Sequence, residues 1–552
     1  MLKLATILDN PGEPFAETRY RDPRKLRQLG YNGLVLYETT GLSGVDSPDR
    51  VGTGEVGRWV AQQFDAVRTR IDQARAADLN VYVSYDALSL ARAIVEKNPA
   101  QFVCRNRPTS LCPASDAALE LSVQSLGKLL AHLPDVQGVV LRFGDNDAAR
   151  LPYLVGNDLY TPHCPRCSQF GRADRIVGVV KKFHDLVVQR LGKTLIVRAW
   201  NVRPGGLHDS VELCTRVAAR LPAADPQGRF ILSFKFTQTD FWRYQRWNPA
   251  SLVWGDRPVL YELQCQREFE GKGGIPNWQV PLWQQGGPEV SGEGPRGLIE
   301  AAQRVPLAGL WAWVRGGGWG GPFVSNETWI DANAYAVPRL ADQPGIAPAT
   351  LAREWIDQRL GINDPQVADV LVQILEHSSQ IVLKGFYIGP YARTKKEPWH
   401  PNADWIQDDV VDAQAAWRMM QQLADSALDD AVQEKSEAVE QIARDRAALQ
   451  HHSEDRHQQT IDPLLNTLVY AESLLEALRD LIAGLAAYRR FQRQRDAATA
   501  ETCRQRLMAA QSHWSHHTQR HGSLPGAATS FRETHFWDLT QRILGEVMAP
   551  AK

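Results

Sequence analysis

RFILSFKFTQTD (229–240) and PVLYELQCQRE (258–268) are two strand-like runs separated by a short connection, and each carries a polar row where a buried strand should be apolar. On the second run the alternate positions are Glu262, Gln264, Gln266 and Glu268. On the first, Ser233 and Lys235 share a face opposite Phe230, Leu232, Phe234 and Phe236. Charges in a buried row are costly unless they are paired or used. Asp240 and Glu268 stand just past the ends of the two runs, and an acidic pair there points first to glycosidase chemistry.

Working outward, similar runs recur with helix-like segments between them. They are LKLATIL (2–8), NGLVLYE (32–38), NVYVSYD (80–86), GVVLRFG (138–144), TLIVRAW (194–200), RFILSFKF (229–236), PVLYELQC (258–265) and GLWAWVR (309–315). WVAQQFDAVRTRIDQARAA (59–77) and RIVGVVKKFHDLVVQRL (175–191) are two of the intervening helices. Strict strand-then-helix order over eight units predicts an α/β fold, a parallel (β/α)8 TIM barrel. A doubly wound open sheet is the alternative, but no Gly-rich dinucleotide fingerprint follows the first run. Barrel active sites lie at the C-terminal strand ends. That singles out Glu38, Asp86, Arg142, Asp145, Arg198, Lys235, Asp240, Glu262, Glu268 and Arg315, of which Arg198 shares a face with Ile196 and Trp200, and Arg142 with Val140 and Gly144.

After the eighth run comes RGGGWGGP (315–322), which lacks the GK[ST] ending of a P-loop and reads as a loop beside the substrate. Helix-forming sequence follows almost to the end, with long amphipathic helices expected over 408–450 and 461–494, where Leu464, Leu468, Ala471 and Leu475 recur at helical spacing. The expected domains are a catalytic barrel (1–325), a connecting helical region on the substrate side (326–410) and an all-α C-terminal domain (411–552). The tracts QHHSEDRHQQ (450–459) and SHWSHHTQRH (512–521) show no clean ligand spacing and are expected to be exposed helix ends or linkers. His163-Cys164-Pro165-Arg166-Cys167 contains CxxC, half of a zinc knuckle. The second pair at knuckle spacing is missing, although Cys104 and Cys112 are candidates to approach in space. Free thiols are the expectation, with no metal.

The chain has 552 residues, 43% hydrophobic and 23% charged, as in soluble globular proteins, and its length predicts two or three domains. Lys plus Arg (62) nearly balance Asp plus Glu (63), which argues against nucleic acid or an anionic membrane as partner. Seventeen Trp suit either a Trp-rich core or stacking platforms for sugars. No apolar run approaches the ~20 residues of a membrane span. The first residues carry no signal-like stretch, and seven scattered Cys suit a reducing compartment. The expected location is cytoplasmic, or periplasmic if a signal has been removed.

In order along residues 1–410, the chain resembles the family 67 α-glucuronidases, glycoside hydrolases that remove 4-O-methylglucuronic acid from xylan-derived oligosaccharides. The segments that carry the resemblance are GYNGLVLYE (30–38), LNVYVSYDALS (79–89), LPDVQGVVLRFGDND (133–147), TLIVRAW (194–200), FKFTQTDFWRYQRWNP (234–249) and YELQCQREFEG (261–271). Beyond the barrel they are DANAYAVPRLADQPGIAPATLAREWI (331–356) and GPYARTKKEPWHPNADW (389–405). The resemblance implies that Asp240 and Glu268 are the two base-side carboxylates and that Arg198 and Lys235 lie near the uronate carboxylate. At the family's general-acid Glu this sequence has Asn146, so Asp145, or else Asp147, is the implied proton donor. With the first barrel strand expected from residue 2, no counterpart of the family's N-terminal β-domain is expected within these residues.

The resulting expectation is an inverting glycosidase acting on a uronic-acid-bearing oligosaccharide, needing no cofactor. Arg142, Arg198, Trp200, Lys235, Glu262, Trp313 and Arg315 are expected to line its substrate. As in the family, the helical tail is a candidate for homodimerisation. The alternatives are a glycosidase of the same scaffold for a neutral sugar, and a carbohydrate-binding protein without catalysis.

Overall fold

The computed structural model describes residues 1–11, 16–45, 54–144, 146, 151–160, 162–202, 204–290, 292, 294–315, 325–394, 401, 405–407, 410–452, 458–521 and 532–549. Each of the eight expected runs forms a strand: β1 Leu2–Ile7, β2 Gly33–Leu36, β3 Asn80–Asp86, β4 Gly138–Arg142, β5 Thr194–Arg198, β6 Phe230–Lys235, β7 Val259–Gln264 and β8 Leu307–Arg315. They close into one parallel barrel in chain order. Leu4 of β1 aligns with Gly33 of β2 on one side and with Trp311 of β8 on the other, which excludes the open doubly wound sheet. The closing seam needs a glycine: Gly309 has φ 152°, and a Cβ there would come 1.9 Å from the Leu2 carbonyl oxygen.

Period-two alternation sorts the side chains into two layers. Phe230, Leu232 and Phe234 of β6, with Val259, Tyr261 and Leu263 of β7, join the large core between strands and helices. Leu4, Val35, Tyr82, Val140, Ile196, Ile231, Leu260 and Trp311 fill the inside of the barrel as a separate apolar cluster. The next inward positions along the strands are Thr6, Ser84, Arg142, Arg198, Ser233, Glu262 and Trp313. The barrel is therefore sealed by hydrocarbon below and polar toward its C-terminal end.

Helix Thr328–Asp342 packs on β8 and β1, with the Tyr31 hydroxyl donating to the Ala334 carbonyl (2.8 Å). The helices Pro365–Phe386, Asp425–His452, Gln458–Gln494 and Ala497–His521 pack on one another in succession. None of the described helices is long and apolar enough to cross a membrane. The single helix expected over 408–450 is two, Ala413–Gln421 and Asp425–His452. Asp412 starts the first by accepting from the Gln414 and Ala415 N–H groups, and tightened bonds from Gln422 and Leu423 back to Met419 and Met420 end it.

The second His-rich tract also departs from expectation. His517 and His521 are buried rather than exposed, packed against Tyr470 at 4.9 and 5.3 Å, with His517 Nδ1 3.2 Å from Ser473 Oγ. His517 and His521 are four residues apart, so one face of the helix buries both, while His513, one turn earlier, stays partly exposed beside Asp480. His451 and His452 are exposed, as expected.

Candidate active site

The polar end of the barrel is organised by pairs. Glu262 of β7 sits beside Lys235 of β6, and Ser233 of β6 beside Arg198 of β5, in register. This parity turns Arg198 and Glu262 toward each other. Arg198 Nε lies 3.1 Å from both Glu262 oxygens, and Ser233 Oγ donates to Oε1 at 2.9 Å. Both charged side chains are almost fully buried, so the attraction chiefly offsets their desolvation rather than adding stability. Arg198 Nη2 has no hydrogen-bond partner among the described residues.

Lys235 forms an ion pair with Asp240, in the loop that leaves β6. Its ammonium lies 3.5 Å from the Trp200 ring centroid, 4.5 Å from Phe241 and 5.3 Å from Trp313, an aromatic box that favours a cation held away from bulk water. Arg198 stacks over Trp313 at 4.8 Å. The Lys235 side chain is 3% exposed and that of Asp240 21%, so the carboxylate is the member of the pair that reaches outward. Both Lys235 and the Phe241 N–H (2.8 Å) engage Oδ1 of Asp240.

Glu268 follows the end of β7 and is buried. Its N–H donates to Gln264 Oε1 at 2.9 Å. The residue before it, Arg267, has φ 58°, a conformation rare for a non-glycine residue and compatible only with strong local anchoring. The anchor is Glu270, which accepts two bonds from Arg267 (2.9 and 2.8 Å), one from Asn277 (2.6 Å) and one from the Tyr387 hydroxyl (2.8 Å). Burial works to raise the Glu270 carboxyl, but Arg267 and Arg243 outweigh it and hold it below the ordinary range. Trp242 and Phe269 stack at 3.6 Å and 12°, joining the loop of Asp240 to the loop of Glu268. Helix Pro365–Phe386 and the residue after it brace both loops: Arg243 donates to the Ser379 carbonyl (2.8 Å) and Ser378 accepts from the Trp278 N–H (2.8 Å).

The remaining predicted residues divide. Trp200 and Trp313 line the Lys235 box, and Glu262 is the counter-ion of Arg198. Arg142 stands 3.5 Å from Asp86 and stacks on Tyr37 at 4.6 Å, while Arg315 stands 3.3 Å from Glu327. Among the described residues, Arg142, Arg198, Lys235 and Arg315 therefore each face a carboxylate. Glu38 lies in a short turn past β2, 3.0 Å from Arg70. Asp145, Asp147 and residues 316–322 of the Gly-rich loop lie outside the described residues. Asn146, the aligned position of the implied acid, donates from Nδ2 to the carbonyls of Leu88 (2.9 Å) and Asn157 (3.0 Å), which makes it a tie between two loops.

Sequence reasoning missed His208, Arg267, Glu270 and Tyr387. His208 is fully buried, edge-on to Trp200 at 4.7 Å, and burial with the charges of Lys235 and Arg198 pushes it well below the ordinary imidazole range. It is a neutral imidazole behind the aromatic box. No spacing in the sequence marks it. The positive φ of Arg267 leaves no trace in the sequence either, because its anchor Glu270 is itself held by Tyr387, 117 residues further along the chain.

No protein-family profile matches the chain, and no curated protein does. Among solved structures it is similar to a GH138 enzyme targeting pectin rhamnogalacturonan II, with TM-score 0.53 and 12% identity, over 94% of this chain and 62% of that one. The chain thus spans less than two thirds of that structure. A mutant O-GlcNAc hydrolase from Thermobaculum terrenum (12% identity, 99% and 94% covered) and CpGH84B (9% identity, 99% and 76% covered) each reach a TM-score of 0.44, too low to support an argument. None of the three is a family 67 α-glucuronidase, so that narrower resemblance is carried by the order of sequence segments alone. The fold of this chain is a closed (β/α)8 barrel with a C-terminal helical region, an architecture it shares with a glycoside hydrolase.

Proposed function

We propose that the chain is an inverting glycoside hydrolase acting on a uronic-acid-bearing oligosaccharide. The observation that carries the reading is the coupled pair of acids: Asp240 and Glu268 follow adjacent strands, their loops are stacked together, and a boxed ammonium braces Asp240. An inverting enzyme needs a base to activate water on one face of the sugar and an acid to protonate the leaving oxygen from the other, roughly 6.5–9.5 Å away. Asp240 and Glu268 are assigned the water side. Lys235 and the Phe241 N–H hold Oδ1 of Asp240, so Oδ2 is the oxygen assigned to water. Asp145, with Asp147 as the alternative, is assigned the proton. Arg198, through its Nη2, and Lys235 are assigned to the uronate, flanked by Trp200 and Trp313. Fold kinship with an enzyme that targets a pectic polysaccharide supports an oligosaccharide substrate.

A second reading has its own support. Arg142, Arg198, Lys235 and Arg315 each already face a carboxylate among the described residues, which offsets their charge and suits a neutral sugar as well. Incubating the protein with aldouronic and neutral oligosaccharides, and following the first-formed anomer by proton NMR, separates the readings. Preferential release from the acidic substrates with inversion supports the proposal. Release only from neutral ones supports the second reading. Binding without any release would make this a carbohydrate-binding protein.

A further inference from the structure

Four cysteines converge from two separate loops. Cys104 and Cys112 belong to the connection after β3, where Val103–Cys104 pairs with Arg107–Leu111 in a small hairpin. Cys164 caps the short helix Pro165–Ser168 in the connection after β4, and Cys167 lies within that helix. The second pair that knuckle spacing seemed to lack is thus supplied through space. The four sulfurs all lie within 4.8 Å of one another and are buried. Three contacts are 3.6 Å (Cys164–Cys167), 3.7 Å (Cys112–Cys164) and 3.9 Å (Cys104–Cys167). Disulfide bonds would need about 2.05 Å. Four thiolates at about 2.3 Å from one zinc ion form a tetrahedron with edges of roughly 3.8 Å, and the three contacts above match such edges.

The donors around the sulfurs fit the same ion. The N–H groups of His163 and Cys164 both point at Cys167 Sγ (3.1 and 3.2 Å), and Arg166 Nε at Cys112 Sγ (3.2 Å). A neutral thiol is a weak acceptor, whereas a metal-bound thiolate accepts several such bonds. Arg166 also donates to the carbonyls of Gln101 (3.1 Å) and Val103 (3.0 Å), so its charge is held beside the cluster. We propose that Cys104, Cys112, Cys164 and Cys167 bind a structural zinc ion that staples the connection after β3 to the connection after β4. Four protein ligands close the coordination sphere, so the ion has no open position for substrate. Each thiol releases its proton on binding. The staple extends toward the barrel, because Asn157 Nδ2 donates to the Leu111 carbonyl (2.8 Å) beside Cys112, and Asn146 donates to Asn157.

Elemental analysis of the purified full chain tests this directly. The expected result is one zinc per chain and a colourless protein. The four thiols should resist a disulfide reagent until a mercurial displaces the metal, with zinc appearing in step with their reaction. Cys164→Ser should lose the zinc and Cys503→Ser should keep it. Should Cys164→Ser fail to fold, the metal content and thiol count of the unaltered chain decide the matter. Protein that stays metal-free when produced with added zinc, that holds iron instead, or that joins these cysteines in disulfides would overturn the proposal.

Discussion

Arg198 on β5 reaches across the width of β6 to Glu262 on β7, its Nε 3.1 Å from both carboxylate oxygens, with Ser233 of β6 donating to the same carboxylate between them. Three consecutive strands are thereby tied at the level where the apolar barrel interior gives way to the site. Glu262→Gln should leave a buried guanidinium without its counter-charge and cost about 3–5 kcal/mol. Adding Arg198→Met to that variant should recover most of the loss. Urea unfolding followed by Trp fluorescence measures both. Equal stability of Glu262→Gln and the parent would show that the pair is not the one that matters.

The Trp242–Phe269 stack couples the loops of the two acids. Phe269→Leu keeps most of the apolar area but removes the ring pair, so it should cost only about 1 kcal/mol. Its effect on kcat should be larger than that suggests, roughly tenfold or more, because small displacements of reacting groups are expensive. A melting curve and a rate measurement on the same sample compare the two effects.

Asn146 ties its loop to Leu88 and Asn157 through amide donors. Asn146→Asp turns a donor into an acceptor against two carbonyls and should destabilise by about 1–3 kcal/mol. Asn146→Glu, which restores the residue of the family 67 acid, should not raise turnover. Faster hydrolysis by that variant would move the proton donor from Asp145 to this position.

Acid should weaken the helical region. Burial, with His521 and His516 nearby, pushes His517 down to about 3, and burial with Arg520 pushes His521 down to about 4. In the unfolded chain both ionise near 6.5. Below that value the unfolded chain binds more protons than the folded one, so stability present above about 6.5 is lost as pH falls toward the two folded values. For His517 the loss should be about 2 kcal/mol at about pH 5. Melting temperatures across this range should fall more steeply in the parent than in His517→Asn.

The barrel was legible because period-two alternation and strand-then-helix order are local properties. The polar rows of β6 and β7 also announced which strands face the site. What could not be read was pairing across long separations. Arg198 and Glu262 are 64 residues apart, and Cys104 meets Cys167 from another loop. His517 looked exposed in a polar tract because its burial depends on Tyr470 in a different helix. Glu270 and Tyr387, which hold the turn before Glu268, belong to segments 117 residues apart, so neither stood out beside Asp240.

Turnover by Asp240→Asn and Glu268→Gln, each compared with the unaltered chain on the best oligosaccharide substrate, is the most direct test of the account. Loss of water activation predicts a fall of roughly 10²–10⁴-fold in kcat in each variant, with unchanged melting temperature for Glu268→Gln and a modest decrease for Asp240→Asn, which loses the charge facing Lys235. Near-normal kcat in either variant would contradict the role given to that carboxylate, and near-normal kcat in both would contradict the site.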